Sequence, residues 1–236
     1  MYQVIAFYKL YIKILFSEKV SFFYTLLLPI LFAFVTVNSV GSSASNDEII
    51  TYISLFWSFI IMTVFINGIG IQLSTIRNYG TLKTYYAITR NKYGFLIGIV
   101  LVQLTISLLN LITYTTILSI YYGVFSLNLL LAACLTLILS IPFALLCMSI
   151  AALPIKNSNL TPLLNIIAYP LFIISFMETK INLINPFYMI NQISSSLLNL
   201  NRNTNDSAIL IAIIIAYIIF SIIIIRKFKV TSLSVR

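Results

Sequence analysis

The sequence predicts an all-α polytopic membrane protein, with six transmembrane helices in a single domain covering residues 1–236. Three observations carry this. Only 14 basic and 5 acidic residues occur, and they sit in short clusters. Apolar residues make up 61% of the chain and mean hydropathy is +1.06, where soluble domains run near 45–50% apolar. Between the charge clusters lie six nearly charge-free windows, each close to the ~20 residues a helix needs to cross a bilayer. A charge at the bilayer centre costs roughly 2.5–3.5 kcal/mol, so keeping every charge out of six windows is a strong signature of lipid solvation.

Residues 1–18 read as an interfacial helix. Tyr2, Ala6, Lys9, Lys13 and Ser17 recur at helical spacing as a more polar stripe, and aromatic and aliphatic residues fill the rest. Such a basic amphipathic helix lies along a membrane surface. The windows follow at about 20–39, 50–75, 94–122, 127–152, 161–177 and 207–225. The first is longer than the 7–15-residue apolar core of a signal peptide and is read as an uncleaved span. The third would make a helix of about 44 Å, longer than a ~30 Å hydrocarbon core, so it tilts or projects. The fifth contains Pro162 and Pro170, and Pro170 is expected to kink it. Pro29 and Pro142 raise the same possibility in the first and fourth.

Orientation follows from the basic residues. Lys9, Lys13, Lys19, Arg77, Lys83, Arg90, Lys92, Lys156, Arg226, Lys227, Lys229 and Arg236 fall on one side. The other side has Lys180 and Arg202, beside Asp47, Glu48, Glu178 and Asp206. The positive-inside rule then places both termini in the cytoplasm, as an even number of spans requires. Abundant Ile, Asn and Lys point to an AT-rich bacterial genome, and hence to the bacterial cell membrane.

The formal net charge of +9 belongs to membrane orientation and not to nucleic-acid binding. The chain has no His, which removes His acid–base chemistry and His metal ligation. Cys134 and Cys147 lie within one span, form no metal-binding spacing and read as small core residues. No carboxylate falls deep in a span, which argues against an ion-coupled transporter or an intramembrane hydrolase. No G-x-x-x-x-G-K-[ST] phosphate loop occurs. The chain is therefore not expected to be an enzyme or to bind a cofactor or metal itself.

Three sets of residues are candidates for function. Thr63, Asn67, Gly70 and Ser74 form a polar stripe on the second span, Gln103, Ser107, Asn110 and Tyr114 on the third, and Thr161, Asn165 and Ser175 a looser one on the fifth. Polar groups in lipid seek protein partners or a hydrated cavity. They mark either a pathway wall or dimer interface, or adhesion between helices of one subunit. Gly94 and Gly98 match the small-xxx-small packing pattern. The second set is the cytoplasmic loop 77–92, where Thr81 is placed to cap a short helix and Leu82, Tyr85 and Tyr86 share one face. That face either fills a groove on another protein or joins an aromatic belt at the headgroups. The third is the external segment 178–206. Ile181, Leu183, Ile184, Phe187, Ile190, Ile193, Leu197 and Leu198 make it too apolar for a wet loop. It reads as a re-entrant or interfacial helix pair.

The chain resembles the ABC-2 type permeases, the membrane subunits of ATP-binding-cassette exporters. The resemblance rests on Gly80-Thr81-Leu82-Lys83, then Ala87-Ile88-Thr89 and the glycines opening the next span. It also rests on the amphipathic start followed by Pro29, on Ser158 to Phe176 with Pro170-Leu171, and on Asn185-Pro186-Phe187-Tyr188 through Leu198. Where the family often has acidic residues before the loop glycine, this chain has Ile76, Asn78 and Tyr79.

The resemblance implies that Gly80, Thr81, Leu82, Lys83, Tyr85, Tyr86 and Arg90 form a coupling helix docking on a separate ATPase. Two ATPase copies would hold the ATP and Mg. A second permease subunit, identical or not, would complete the pathway, with Thr63, Asn67, Gly70, Ser74 and Asn165 at the pathway or dimer interface. Asn185, Pro186 and Phe187 would gate its external side. Family cargo includes drugs, lipids and amphipathic peptides, and the apolar, aromatic interior suits an amphipathic or hydrophobic substrate. The rival readings are a membrane immunity or assembly protein that acts by binding, and an ion-coupled secondary transporter.

Overall fold

The computed structural model describes residues 2–17, 19–39, 45–81, 84–85, 92–153, 155, 157–177, 180–200 and 207–227. Among them every regular element is a helix. Three are long and apolar enough to cross a membrane: Asn46–Asn78 with 33 residues, Gly94–Tyr121 with 28, and Leu127–Ala152 with 26. They fall on the expected windows 50–75, 94–122 and 127–152. Shorter apolar helical stretches, Leu27–Asn38, Asn159–Ile174 and Ile211–Ile223, coincide with the other three windows. Outward-facing Leu, Ile and Phe side chains such as Leu31, Phe32, Leu101, Ile120, Leu131, Ile166 and Ile219 are exposed, compatible with a membrane location.

Helix α1 (Tyr2–Ser17) is followed by α2 (Lys19–Ser39). The central helix is α3 (Asn46–Phe65), which runs through a π-helical segment (Ile66–Ile71) into α4 (Gln72–Asn78). Next come α5 (Lys92–Tyr121), α6 (Leu127–Leu139) and α7 (Ile141–Met148), the last ending in a 3-10 turn (Ser149–Ala152). Helix α8 (Asn157–Ile174) leads to a 3-10 turn (Lys180–Ile184), α9 (Pro186–Leu197) and α10 (Ser207–Lys227).

Helix α3 starts sharply because Ser45 and Glu48 form a capping box. Ser45 Oγ accepts from the Glu48 N–H, and the Ser45 N–H donates to Glu48 Oε2 at 2.9 Å, satisfying two orphan donors of the first turn. From Ile53 to Phe65 all residues except Thr63 are buried, as befits a helix surrounded by α2, α5, α7 and α9. Its polar ties are few. Trp57 Nε1 donates to Thr115 Oγ1 at 3.0 Å, and Tyr114 donates to the Ile53 carbonyl at 3.2 Å. The Gln103, Ser107, Asn110 and Tyr114 stripe is buried throughout and faces the core of this subunit.

Two expectations meet a different geometry. Pro142 does more than bend its helix. The chain turns at Ser140 and restarts at α7 with Pro142 in the first turn, a position where its missing N–H costs nothing. Helix α1 does more than lie on a surface. Phe7 and Tyr11 are buried against α5, Tyr8 and Thr105 share a 3.2 Å hydrogen bond, and Lys9 and Lys13 stay exposed. Gly98 permits this approach, since a Cβ there would lie 2.9 Å from Phe7 Cβ. At the other end of α5, Tyr122 donates to Asn38 Oδ1 at 3.2 Å and ties in α2.

Charge is segregated along α3 and α4. Among the described residues both carboxylates, Asp47 and Glu48, lie in the first turn of α3, while Arg77 lies in the last turn of α4. The bundle thus has an acidic end and a basic end, roughly 45–50 Å apart along the helix axis.

Candidate functional site

At the basic end the chain makes an elbow. Helix α4 stops because Gly80 adopts φ +76°, the left-handed conformation that closes many helices. The Tyr79 N–H donates to the Thr75 carbonyl at 3.0 Å and the Gly80 N–H to the Arg77 carbonyl at 3.1 Å. Thr81 donates its hydroxyl back to the Ile76 carbonyl at 3.1 Å. Thr81 is itself helical, as are Thr84 and Tyr85, so helical backbone resumes after Gly80, where the sequence expects a short helix. Leu82, Lys83, Tyr86 and Arg90 lie outside the described residues.

Tyr85 is half-buried in a cluster of rings. Its centroid is 5.4 Å from that of Phe7 and 5.2 Å from that of Phe95; Phe7 and Phe95 are 5.3 Å apart, and Tyr11 is 5.8 Å from Phe95. Edge-to-face and tilted pairs at these distances are attractive beyond the area they bury. Burial pushes the Tyr11 phenol pKa up, and the neighbouring Tyr85 adds to the shift. Tyr85 thus fastens the elbow to α1 and α5. Among the described residues of the elbow the exposed ring is Tyr79, which is 80% exposed. Helical periodicity could not single it out, because it sits at the helix stop.

Arg77 fixes the elbow on its other side. Only 2% exposed, it donates Nη2 to the Leu153 carbonyl at 2.8 Å and lies 3.4 Å from Asn78 Oδ1. A buried guanidinium is expensive unless hydrogen-bonded, and this bond joins the end of α4 to the residue that follows the 3-10 turn after α7.

Above the elbow, the stripe expected on the second span splits. Thr63 and Asn67 are half-buried, bonded in series to the carbonyls of Phe59 and Thr63. Gly70 and Ser74 are buried, and a Cβ on Gly70 would lie 2.7 Å from Ile150 Cδ1 and 3.0 Å from the Cys147 carbonyl. The cause is the π segment. The Gln72 N–H reaches the Asn67 carbonyl, an i→i+5 bond that inserts one extra residue. The half-buried row therefore continues through Ile71 and Thr75. Gly68 packs against the Gln103 amide, which donates to Gln72 Oε1 at 3.3 Å. Asn165 is half-buried on α8, which packs against the π segment.

The connection after α8 folds back into the bundle. Asn185 caps α9, accepting from the Phe187 N–H at 3.1 Å, and donates Nδ2 to the Leu171 carbonyl at 2.7 Å. Asn182 donates to the Ile174 carbonyl at 2.9 Å and also to that of Met177. Asn191 donates to Ser175 Oγ at 3.3 Å. Asn185 and Asn182 thus reinforce the end of α8, adding side-chain donors to the Leu171 and Ile174 carbonyls, which also accept from the Ser175 and Met177 N–H groups, while Asn191 ties α9 to the Ser175 hydroxyl. Tyr217, midway along α10, donates to the Ile184 carbonyl, so the 3-10 turn before α9 sits level with the middle of α10. Asn185 and Phe187 are 3% and 1% exposed.

Phe172 is the hub of this region. Its ring centroid lies within 4.7–5.8 Å of those of Phe176, Phe59, Phe56 and Phe187. Beside Pro186 and Phe187 runs an apolar cleft of about 310 Å³, also lined by Met62, Ile66, Cys147, Ile150, Leu153 and Phe220. Leu153 places its basic-end limit next to Arg77. The cleft suits an apolar chain or ring in size and lining. Among the described residues no cluster of His, Cys, Asp or Glu could hold a metal ion.

Comparison with known proteins finds no relative: no family model, no curated protein and no solved structure matches this chain.

Proposed function

We propose that this chain is the permease subunit of an ATP-driven exporter of amphipathic or hydrophobic substrates in a bacterial cell membrane. In this reading the helices make six crossings, both termini and the elbow face the cytosol, and two ATPase subunits carrying ATP and Mg dock below. A second permease copy or homologue completes the pathway. The family resemblance is the source of this reading.

The observation that supports it best is how the elbow is mounted. A coupling loop must pass a push to the bundle without absorbing it. Tyr85 is held by rings of α1 and α5, and Arg77 is bonded to the residue that closes the turn after α7. That same residue, Leu153, lines the apolar cleft. Movement at Gly80 would therefore reach the cleft through packed groups, the kind of rigid linkage that amplifies small shifts. Tyr79, exposed at the stop of α4, is apt for a partner's groove.

The test is co-expression with an ATPase encoded beside this chain. Expected are co-purification, ATP hydrolysis stimulated by the permease, and loss of that stimulation in Tyr79→Ala. A chain that retains no ATPase, or a Tyr79→Cys variant labelled only from outside the cell, would sink the proposal.

A further inference from the structure

We infer that the acidic end of the bundle carries a binding cup for an alkylammonium group, a protonated amine on an apolar body. A cavity of about 360 Å³ opens between α2, the start of α3 and the end of α8. Thr36, Glu48, Thr51, Tyr52, Phe56 and Phe176 line it.

The polar atoms around it are mostly acceptors. Glu48 spends Oε2 on the Ser45 N–H at 2.9 Å, while Oε1 takes no hydrogen bond from any described residue. The Thr36 hydroxyl donates to the Phe32 carbonyl at 2.8 Å and that of Thr51 to the Asp47 carbonyl at 2.7 Å. What the Thr51 hydroxyl offers a ligand is therefore oxygen lone pairs. Asp47 adds a second negative charge one residue from Glu48, and among the described residues no Lys or Arg lines the cavity. A surface rich in acceptors and negative charge selects a cation with several donors, and an ammonium has three.

The rest of the lining is aromatic. Phe56 and Phe176 are held by Phe172, 5.6 Å and 4.7 Å away, and Phe176 is still 45% exposed. Aromatic rings attract cations through their faces and also accept the first carbons of an apolar tail. The volume lies at the small end of ligand pockets, so the cup takes a head and the start of its chain. An ammonium of this kind is presented by an aminophospholipid headgroup or by a free cationic amphiphile.

The inference does not depend on the exporter assignment, because binding can be measured in a chain that never meets an ATPase. The full-length protein in neutral maltoside micelles is titrated with dodecylammonium by calorimetry, with dodecanol as the uncharged control. Glu48→Gln is the decisive variant, since glutamine also completes a capping box and keeps the start of α3. It is expected to weaken dodecylammonium binding by about fivefold, and Phe176→Leu by about threefold, with unchanged helicity and melting temperature. Adding phosphatidylethanolamine, against phosphatidylglycerol as control, separates the sources. Selective competition by the former assigns the cup to a lipid headgroup; competition by neither assigns it to a free amine. Equal binding of dodecylammonium by Glu48→Gln and wild type, or equal binding of dodecanol and dodecylammonium, overturns the inference.

Discussion

Asn185 joins two helices with one side chain: its Nδ2 donates to the Leu171 carbonyl on α8 at 2.7 Å, and its Oδ1 accepts from the Phe187 N–H that opens α9 at 3.1 Å. The two roles are separable. Asn185→Asp keeps the acceptor that caps α9 but turns a carboxylate toward the Leu171 carbonyl. Asn185→Ala removes both bonds. Because the site is buried, we expect each to cost about 1–3 kcal/mol. A lowered melting temperature and new thiol reactivity in a Phe187→Cys background would report the loosening. An unchanged melting temperature in both variants would show that the bond does not hold α9.

Gly98 and Gly68 test close packing in two ways. Gly98→Ala places a methyl 2.9 Å from Phe7 Cβ, which α1 relieves only by moving away. A loss of about 1–3 kcal/mol is expected. Gly68→Ala meets the end of the flexible Gln103 side chain. Gln103→Ala should therefore rescue it, and a double-mutant cycle of thermal unfolding would show a coupling of roughly 1 kcal/mol. Additive effects would separate the two residues.

Tyr79 and Tyr85 should behave oppositely. Tyr85→Ala removes two ring contacts from a packed cluster and is expected to cost about 2 kcal/mol. Tyr79→Ala removes a ring that is 80% exposed and should leave stability within ~0.5 kcal/mol. Denaturation midpoints of the isolated chain check both, whatever becomes of any ATPase.

The Tyr11 phenol gives a pH dependence. Burial raises its pKa above the ordinary 10.0, so the folded state favours the protonated form more than the unfolded state does. The resulting stability is fully present below pH 10 and is lost as pH rises beyond it. Alkaline unfolding of the α1–α5 contact should therefore begin above pH 10 and be blunted in Tyr11→Phe. Fluorescence of a probe attached at an α1 cysteine would follow it; identical curves for the two proteins would refute the role of Tyr11.

Much of the helical layout was legible because burial in lipid or core is written into composition. The windows 50–75, 94–122 and 127–152 differ by only a few residues from the long apolar helices found. What periodicity could not supply was the identity of neighbours. It grouped Tyr85 with Leu82 and Tyr86 but could not show that Phe7 and Phe95 cover it. It aligned Thr63, Asn67, Gly70 and Ser74 on the assumption of a uniform α-helix, which the π segment breaks. Asn182, Asn185 and Asn191 look like ordinary polar loop residues until their partners, carbonyls for the first two and the Ser175 hydroxyl for the third, are known. Arg77 reads as one more topology-setting cation, and only its bond to Leu153 shows a structural role.

The surplus residue at Ile66–Ile71 leaves the central helix with a built-in tolerance. A deletion elsewhere in a buried helix swings everything beyond it by about 100° and turns a packed row toward the wrong neighbour. A deletion within this segment would instead shorten a wide turn to an ordinary one, leaving the flanking halves close to their present bearings. It is the place in the core where the chain length itself can drift, and an homologous chain lacking one residue should have lost it there.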